Sequence, residues 1–475
     1  MAATAPPPKG PRRPRAGLLL GALLAVAWPI GTPAAGTGEE NGQKTAPVEL
    51  GPDQMRAAAM AALRDGTPQR AYVYSEALLR RDPNDRTALL IHSRAARDLG
   101  RFPRARTAAR TAWTLSETDS QKYASSLVMA QALASGGQRT RAQWWLRRAV
   151  QYAPNEALTR KAVNDFRYVR ARNRWNGRLN FSITPDSNIN NGSSSDTTFL
   201  LGGLIEVPLT GAARALSGVE FALSADLRYR FYETETRAQD VTFQMDARHY
   251  ELSASAKESA PGTEGNDFDF AIYSAGYAFR QINFDRRGEF RATADLGQTW
   301  YGGEEYTRFF RLGGAQSYRL GRGNKIDLRL AGEHQTGITT NDSDTLRADL
   351  SFTTHVLNGA TFWTGATVAS TRSPYRSAEF DEIGVRAQLT LAKPLAGATV
   401  QLGVGARNRS YDYSLHSMDG RQDDRVQADL TMIFRKVDYY GFNPTMQISA
   451  SRTDSNIALY DSERIGINFG IRSAF

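Results

Sequence analysis

The spacing of apolar residues along the chain changes once, at Trp175. Upstream, residues 51–172 are rich in Ala, Leu and Arg, which favour helices, and they read as helix throughout. Downstream, apolar side chains recur at every second position. Val219, Phe221, Leu223, Ala225, Leu227, Tyr229 and Phe231 alternate with smaller or polar residues. So do Phe290, Ala292, Ala294 and Leu296, then Val400, Leu402, Val404 and Ala406, and finally Ile465, Ile467, Phe469 and Ile471. Arg, Asp, Gln, Glu and Asn occupy interleaved positions. Such strands have one apolar and one polar face. Spans of about ten residues, repeated with this regularity, predict a transmembrane barrel, apolar outward and polar inward, rather than a water-soluble sandwich.

About fifteen strand-like runs lie between Trp175 and Phe475, and a single-chain bacterial barrel wants an even number. We take about fourteen, with sixteen as the alternative. The miscounted run is placed between Asp240 and Gln281, where the alternation loses register. Short turns near 286–287, 321–324, 358–359, 397 and 439–441 alternate with longer polar loops at 341–344, 373–377, 411–423 and 453–461. Short periplasmic turns and longer outer loops are the habit of this class. Trp300, Tyr301, Tyr306, Tyr411, Tyr413, Tyr439 and Tyr440 lie near strand ends, where interfacial girdles belong.

The helical half repeats. Gly66 is followed by Ala71, Leu78 and Pro83; Gly100 by Ala105, Ala112 and Glu117; Gly137 by Ala142, Ala149 and Pro154. Each set uses offsets of 5, 12 and 17 residues, and the glycines lie 34 and 37 residues apart. Gly lets the chain turn between two helices, the small residue lets them approach, and Pro stops the second. Over about 105 residues this resembles the tetratricopeptide repeat, with Glu117 departing from the usual Pro and the family's Trp missing from the first helices. A further helix from about Glu156 caps the stack. The resemblance implies a groove lined by the first helix of each repeat, and its candidate client-binding residues are Arg56, Arg94, Arg97 and Gln131. Arg94 and Arg97 share a helix face and suit acidic or carbonyl groups of a partner.

At the N-terminus, Lys9, Arg12, Arg13 and Arg15 precede a short apolar run, 16–30, and then small residues at Ala34, Ala35 and Gly36. This predicts a signal peptide over 1–35, then a linker over 36–50. With the helical domain at 51–172 and the barrel at 173–475, the class is α + β multidomain. Residues 36–172 hold 23 Lys and Arg against 13 Asp and Glu, whereas 173–475 hold 32 against 36. For an exported chain the basic half points to an acidic protein partner, not to nucleic acid. No Cys is present, which excludes disulfides, thiol catalysis and a lipidated N-terminal Cys.

The chain shows no phosphate loop, nucleophile elbow or metalloprotease motif. His92, His249, His334, His355 and His416 form no metal spacing, although His249 or His334 would be the candidates for a barrel hydrolase. No enzyme, cofactor or metal is expected. The distinctive segment follows the first strand: Asp186, Ser187, Asn188, Ile189 and Asn190, residue types that make turns by bonding nearby backbone amides. Helical repeats, a first strand ending in this segment, with Asp186, Asn188 and Asn190 as its marks, and a barrel ending in Phe resemble the surface lipoprotein assembly modulators, the Slam family. That resemblance covers nearly all of the predicted mature chain. It implies translocation of selected clients, either surface lipoproteins or soluble haem- or metal-binding proteins, across the outer membrane. Gly470 and the terminal Phe475 resemble the signal read by the barrel assembly machinery, with Ser473 departing from it. The expected setting is the outer membrane and its lipids, a periplasmic helical domain and a monomeric barrel. An exopolysaccharide export porin and a general porin-like protein remain the alternatives.

Overall fold

A computed structural model describes residues 50–200, 205–321, 323–356, 359–417, 419–435, 437, 439–440 and 442–473. The signal-peptide reading, most of the linker and Phe475 lie outside these residues.

Seven helices come first: α1 Pro52–Arg64, α2 Pro68–Arg81, α3 Arg86–Asp98, α4 Phe102–Thr114, α5 Asp119–Ser135, α6 Arg139–Gln151 and α7 Glu156–Ala171. Their ends follow from local chemistry. Pro52, Pro68 and Pro103 stand in first turns, where no amide is needed. Asp85 caps α3 by accepting from Ala88 N at 2.9 Å, and Asn155 caps α7 by accepting from Leu158 N at 3.0 Å. Gly66, Gly100 and Gly137 turn α1 into α2, α3 into α4 and α5 into α6, with φ of 68°, 72° and 79°, a region costly for side chains with a Cβ. Ala71, Ala105, Ala112, Ala142 and Ala149 are wholly buried where the helices cross, so a larger side chain there would push the pair apart. Pro83 lies between α2 and α3, and Pro154 between α6 and α7. At the third corresponding position, Glu117, the chain uses other means. The Thr118–Gln121 capping box starts α5, with Gln121 Oε1 accepting from Glu117 N at 2.9 Å.

Fourteen strands then close an antiparallel barrel. They are β1 Trp175–Asp186, β2 Gly218–Glu233, β3 Arg237–Leu252, β4 Phe270–Asn283, β5 Gly288–Tyr301, β6 Glu304–Gly321 and β7 Asn324–Gly337. The remainder are β8 Ser343–Val356, β9 Ala360–Arg372, β10 Phe380–Thr390, β11 Thr399–Tyr411, β12 Arg421–Ile433, β13 Phe442–Ser455 and β14 Ser462–Ser473. β14 returns to β1 with Phe181 opposite Ile471 and Asp186 opposite Gly466. Register carries the sequence alternation around the wall. Phe181 faces Leu223, Leu227 faces Phe243, Leu350 faces Ala366 and Leu402 faces Leu430, which forms an outward apolar belt. Leu296 and Leu346 are 65% and 71% exposed, which suits a surface solvated by lipid tails rather than water.

The surplus strand-like signal has two explanations. Thr197–Leu200 pairs with Ile205–Pro208 in a separate two-stranded antiparallel sheet that does not join the wall. Between Asp240 and Gln281 the alternation breaks because a short helix, α8 Ala254–Ser259, and a 3-10 turn, Gly265–Phe268, separate β3 from β4. The barrel begins at Trp175 and finishes at Ser473 at one end, here the helix-side end. Connections there span 234–236, 284–287, 322–323, 357–359, 391–398 and 434–441. The opposite, distal end carries 187–217, 253–269, 302–303, 338–342, 373–379, 412–420 and 456–461. The tight distal turn at Gly302 and Gly303, both at positive φ, departs from the rule of long loops at that end. Ile189, Leu216, Tyr250, Leu252, Ala256 and Ala260 make a small apolar core where the two longest distal connections meet.

Candidate functional site

Three places bear on function: the helical surface, the contact between helices and barrel, and the distal end of the barrel seam. On the helical surface the four candidate residues divide. Arg56 donates through Nε to Asp85 Oδ2 at 2.8 Å and also pairs with Asp53, so it fastens α1 to the cap of α3. Arg97 and Gln131 are brought together, with Nη1 donating to Oε1 at 2.9 Å between α3 and α5, and Arg97 also holds Asp98. Arg94 is solvent-exposed and makes no hydrogen bond or ion pair among the described residues. Surrounding protein strips part of its hydration and pulls its pKa down, and the neighbouring Arg97 charge pulls the same way. Of the four, Arg94 is the one whose guanidinium has no side-chain partner among the described residues.

The helix–barrel contact was not legible in the sequence. Arg147 on α6 donates to the carbonyl of Tyr440 at 3.0 Å and lies over the Phe442 ring at 4.8 Å. Gln151 Oε1 accepts from Tyr440 N at 3.2 Å, and the Tyr152 and Tyr440 hydroxyls meet at 3.2 Å. Tyr440 therefore docks the β12–β13 connection on α6, a role different from the interfacial girdle expected of it. Behind this contact, Trp113 and Trp145 pack edge to face at 5.2 Å, with Arg148 over Trp145 at 4.7 Å. Aromatic and cationic side chains on α6 were the only signal available. The helical period explains them equally well as ordinary surface and core.

At the distal end, Asp186, Asn188 and Asn190 act together as a clasp. Asp186 is buried, pairs with Arg464 at 2.5 Å and accepts from Asn188 N at 2.9 Å. The Asn188 amide donates to the Gly192 carbonyl at 2.9 Å and the Glu463 carbonyl at 3.2 Å, and its Oδ1 accepts from Gly192 N. Asn190 donates to the carbonyls of Ala212 and Arg214 and accepts from Leu216 N at 2.9 Å. Ser187 and Ile465 exchange two further bonds. The segment thus ties β1, β14 and the 187–217 connection together where the barrel closes. Gly470 sits opposite Ser182 in the same seam.

The histidines offer little chemistry. His249 and His334 contact Asp269 and Asp344 at 2.8 Å, on the outward parity of β3 and β7, and no Ser or Thr hydroxyl bonds either ring among the described residues. No group of three His, Asp or Glu among the described residues could hold a metal ion.

A closed barrel with an apolar belt, a polar interior and a stack of helices docked at one mouth defines an outer-membrane barrel protein with an N-terminal helical domain. Residues 175–471 match the family model of the surface lipoprotein assembly modifiers. The chain belongs to that family, whose role at the outer membrane is surface lipoprotein assembly. This is a family of assembly and transport barrels, not a known enzyme class. No curated protein matches the chain. Among solved structures, it is similar to the type III secretion translocator chaperone SycD of Yersinia enterocolitica, at 17% identity and a TM-score of 0.23 over 26% of this chain and 88% of that one. It is also similar to an outer membrane channel from Pseudomonas putida F1, at 11% identity and a TM-score of 0.31 over 62% of this chain and 95% of that one. A bacterial polysaccharide outer membrane secretin is 6% identical, with a TM-score of 0.33 over 62% and 98%.

Proposed function

We propose that this protein moves a small set of clients, surface lipoproteins or soluble haem- or metal-binding proteins, across the outer membrane. The helical domain faces the periplasm, because it docks at the barrel end opposite the two longest connections, 187–217 and 253–269. Arg94, with the Arg97–Gln131 pair beside it, contacts acidic or carbonyl groups of the client. The observation that carries the reading is the contact of Arg147 and Tyr152 with Tyr440. It fixes the helices beside the barrel mouth, so a client held there is presented at high effective concentration. Gly470 and Phe475 serve as the assembly signal for the barrel machinery. The test compares surface-exposed and released proteins, with secreted polysaccharide, between a deletion strain and its parent. Loss of one or a few surface proteins, restored by the full chain but not by the barrel alone, is the expected result. Loss of a polysaccharide with an unchanged surface proteome would overturn it.

A further inference from the structure

The inner wall of the barrel carries an arrangement that strand pairing alone would disfavour. Register sets Arg280 on β4 directly opposite Arg291 on β5, Arg319 on β6 opposite Lys325 on β7, and Arg407 on β11 opposite Arg425 on β12. All six lie on the inward parity, the face opposite the apolar belt. Like charges directly across an antiparallel pair are destabilising, yet the pattern occurs three times. It is not a matter of composition, because residues 173–475 hold more acids than bases.

Among the described residues, nearby acids reach only one member of each pair, and in the second pair it is Lys325, held by Asp327 at 2.6 Å. Asp240 already serves Arg228, Arg230 and Arg280. Glu382 serves Arg407 at 3.6 Å and Arg409 at 2.7 Å, with Arg347 at 4.0 Å. Arg329 faces Asp349 in register, but that carboxylate is taken by Arg347 at 2.9 Å and Thr367 at 2.6 Å. Among the described residues, Arg291, Arg319, Arg329 and Arg425 form no salt bridge. Arg425 bonds only the Ser451 hydroxyl, at 3.0 Å, and its buried Nε has no partner. These four line two adjoining inner cavities of about 750 and 720 Å³, which share Lys325, Asp327, Arg329 and Asp349.

We propose that this wall, from β5 to β12, is a binding track for an extended acidic polypeptide segment. Guanidinium groups left with free forks, in a cleft with low-dielectric walls, match carboxylates in charge and geometry. The fold tolerates the like-charge pairs because an anionic occupant offsets them, as locally unfavourable choices are retained at functional sites. A polypeptide fits better than a sugar polymer because the cavities have a single aromatic, Trp363, on which a sugar ring would stack. The assignment deepens the client-translocation reading and rests on it for the choice of cargo.

The test uses the full chain in nanodiscs and fluorescent poly-L-glutamate as the probe, with poly-L-lysine and polygalacturonate as comparisons. Poly-L-glutamate should bind, weaken as salt is raised, and lose at least about tenfold in affinity in R291Q/R329Q/R425Q, because each substitution removes an inward positive charge from the track. None of the three breaks a salt bridge. A heat-modifiable gel shift confirms that the variant is closed, and Arg329→Gln alone, with a loss of several-fold, substitutes if the triple variant does not fold. Absent binding, affinity unchanged by the substitutions, or equal binding of polygalacturonate would overturn the proposal. Poly-L-glutamate binding in a protein whose deletion traps no client would leave the track standing and reject the translocation reading instead.

Discussion

Tyr152 at the end of α6 and Tyr440 in the β12–β13 connection share a hydroxyl contact of 3.2 Å across 288 residues of sequence. With Arg147 on the Tyr440 carbonyl, it joins the two halves of the molecule at the barrel mouth. Each bond contributes about 1 kcal/mol net, so Arg147→Ala combined with Tyr152→Phe should loosen the joint without unfolding either half. Hydrogen exchange should rise in α6 and in 437–442 while β7 to β9 stay protected. Client export should fall in the same variant. Unchanged exchange in α6 would show that the joint is held elsewhere.

Arg94→Glu with Arg97→Glu should reduce client recovery by the helical domain about tenfold, because two attractive charges become repulsive. Thermal stability should change by less than about 1 kcal/mol, since Arg94 is unpaired and the Arg97–Gln131 bond is partly exposed. Co-purification of the client with the variant, scored with helical circular dichroism, decides the matter. Normal export by a folded double mutant would remove this surface from the mechanism.

His92 gives the helical domain an acid sensitivity. The ring is buried, stacks on Tyr72 at 4.3 Å and contacts Ser75 through Nδ1 at 3.1 Å. Burial first, and then the charges of Arg104 and Arg101 against the opposing pull of Glu76, lower its pKa below the ordinary 6.5. The folded state therefore binds the proton less readily than the unfolded one. Stability should be full above about pH 6.5 and decline as pH falls from there toward the lowered folded value. Melting followed at the helical signal should show this decline, and His92→Gln should flatten it. An equal slope in the variant would assign the effect to other groups.

Asp186→Ala should weaken barrel closure. It leaves Arg464 without its closest carboxylate and frees the Asn188 amide, a loss on the order of 3 kcal/mol for a largely buried pair. The temperature at which the heat-modifiable gel band converts should drop, and Asn188→Ala should lower it by a smaller step. If neither moves, the clasp serves something other than closure, and client export becomes the measurement of interest.

Removal of Phe475 should lower the amount of folded barrel in the outer membrane, measured as the heat-modifiable fraction. Phe475→Tyr should retain most of it by keeping a terminal aromatic. Equal insertion of all three forms would make the resemblance to an assembly signal incidental.

The sequence by itself determined the architecture, because each secondary structure repeats at its own fixed interval. A period of two from Trp175 onward dictates strands with two unlike faces, and the Gly66, Gly100 and Gly137 series dictates helix hairpins; both are written locally. The count of fourteen strands was also within reach, once an even number was required. What the sequence could not supply was any relation across strands or between halves. The clasp of Asp186 on Arg464, the docking of Tyr440 on α6 and the opposition of Arg407 to Arg425 join residues whose spacing carries no period. Alternation states that an arginine points inward. Only the register between neighbouring strands decides whether an acid or another arginine stands across from it.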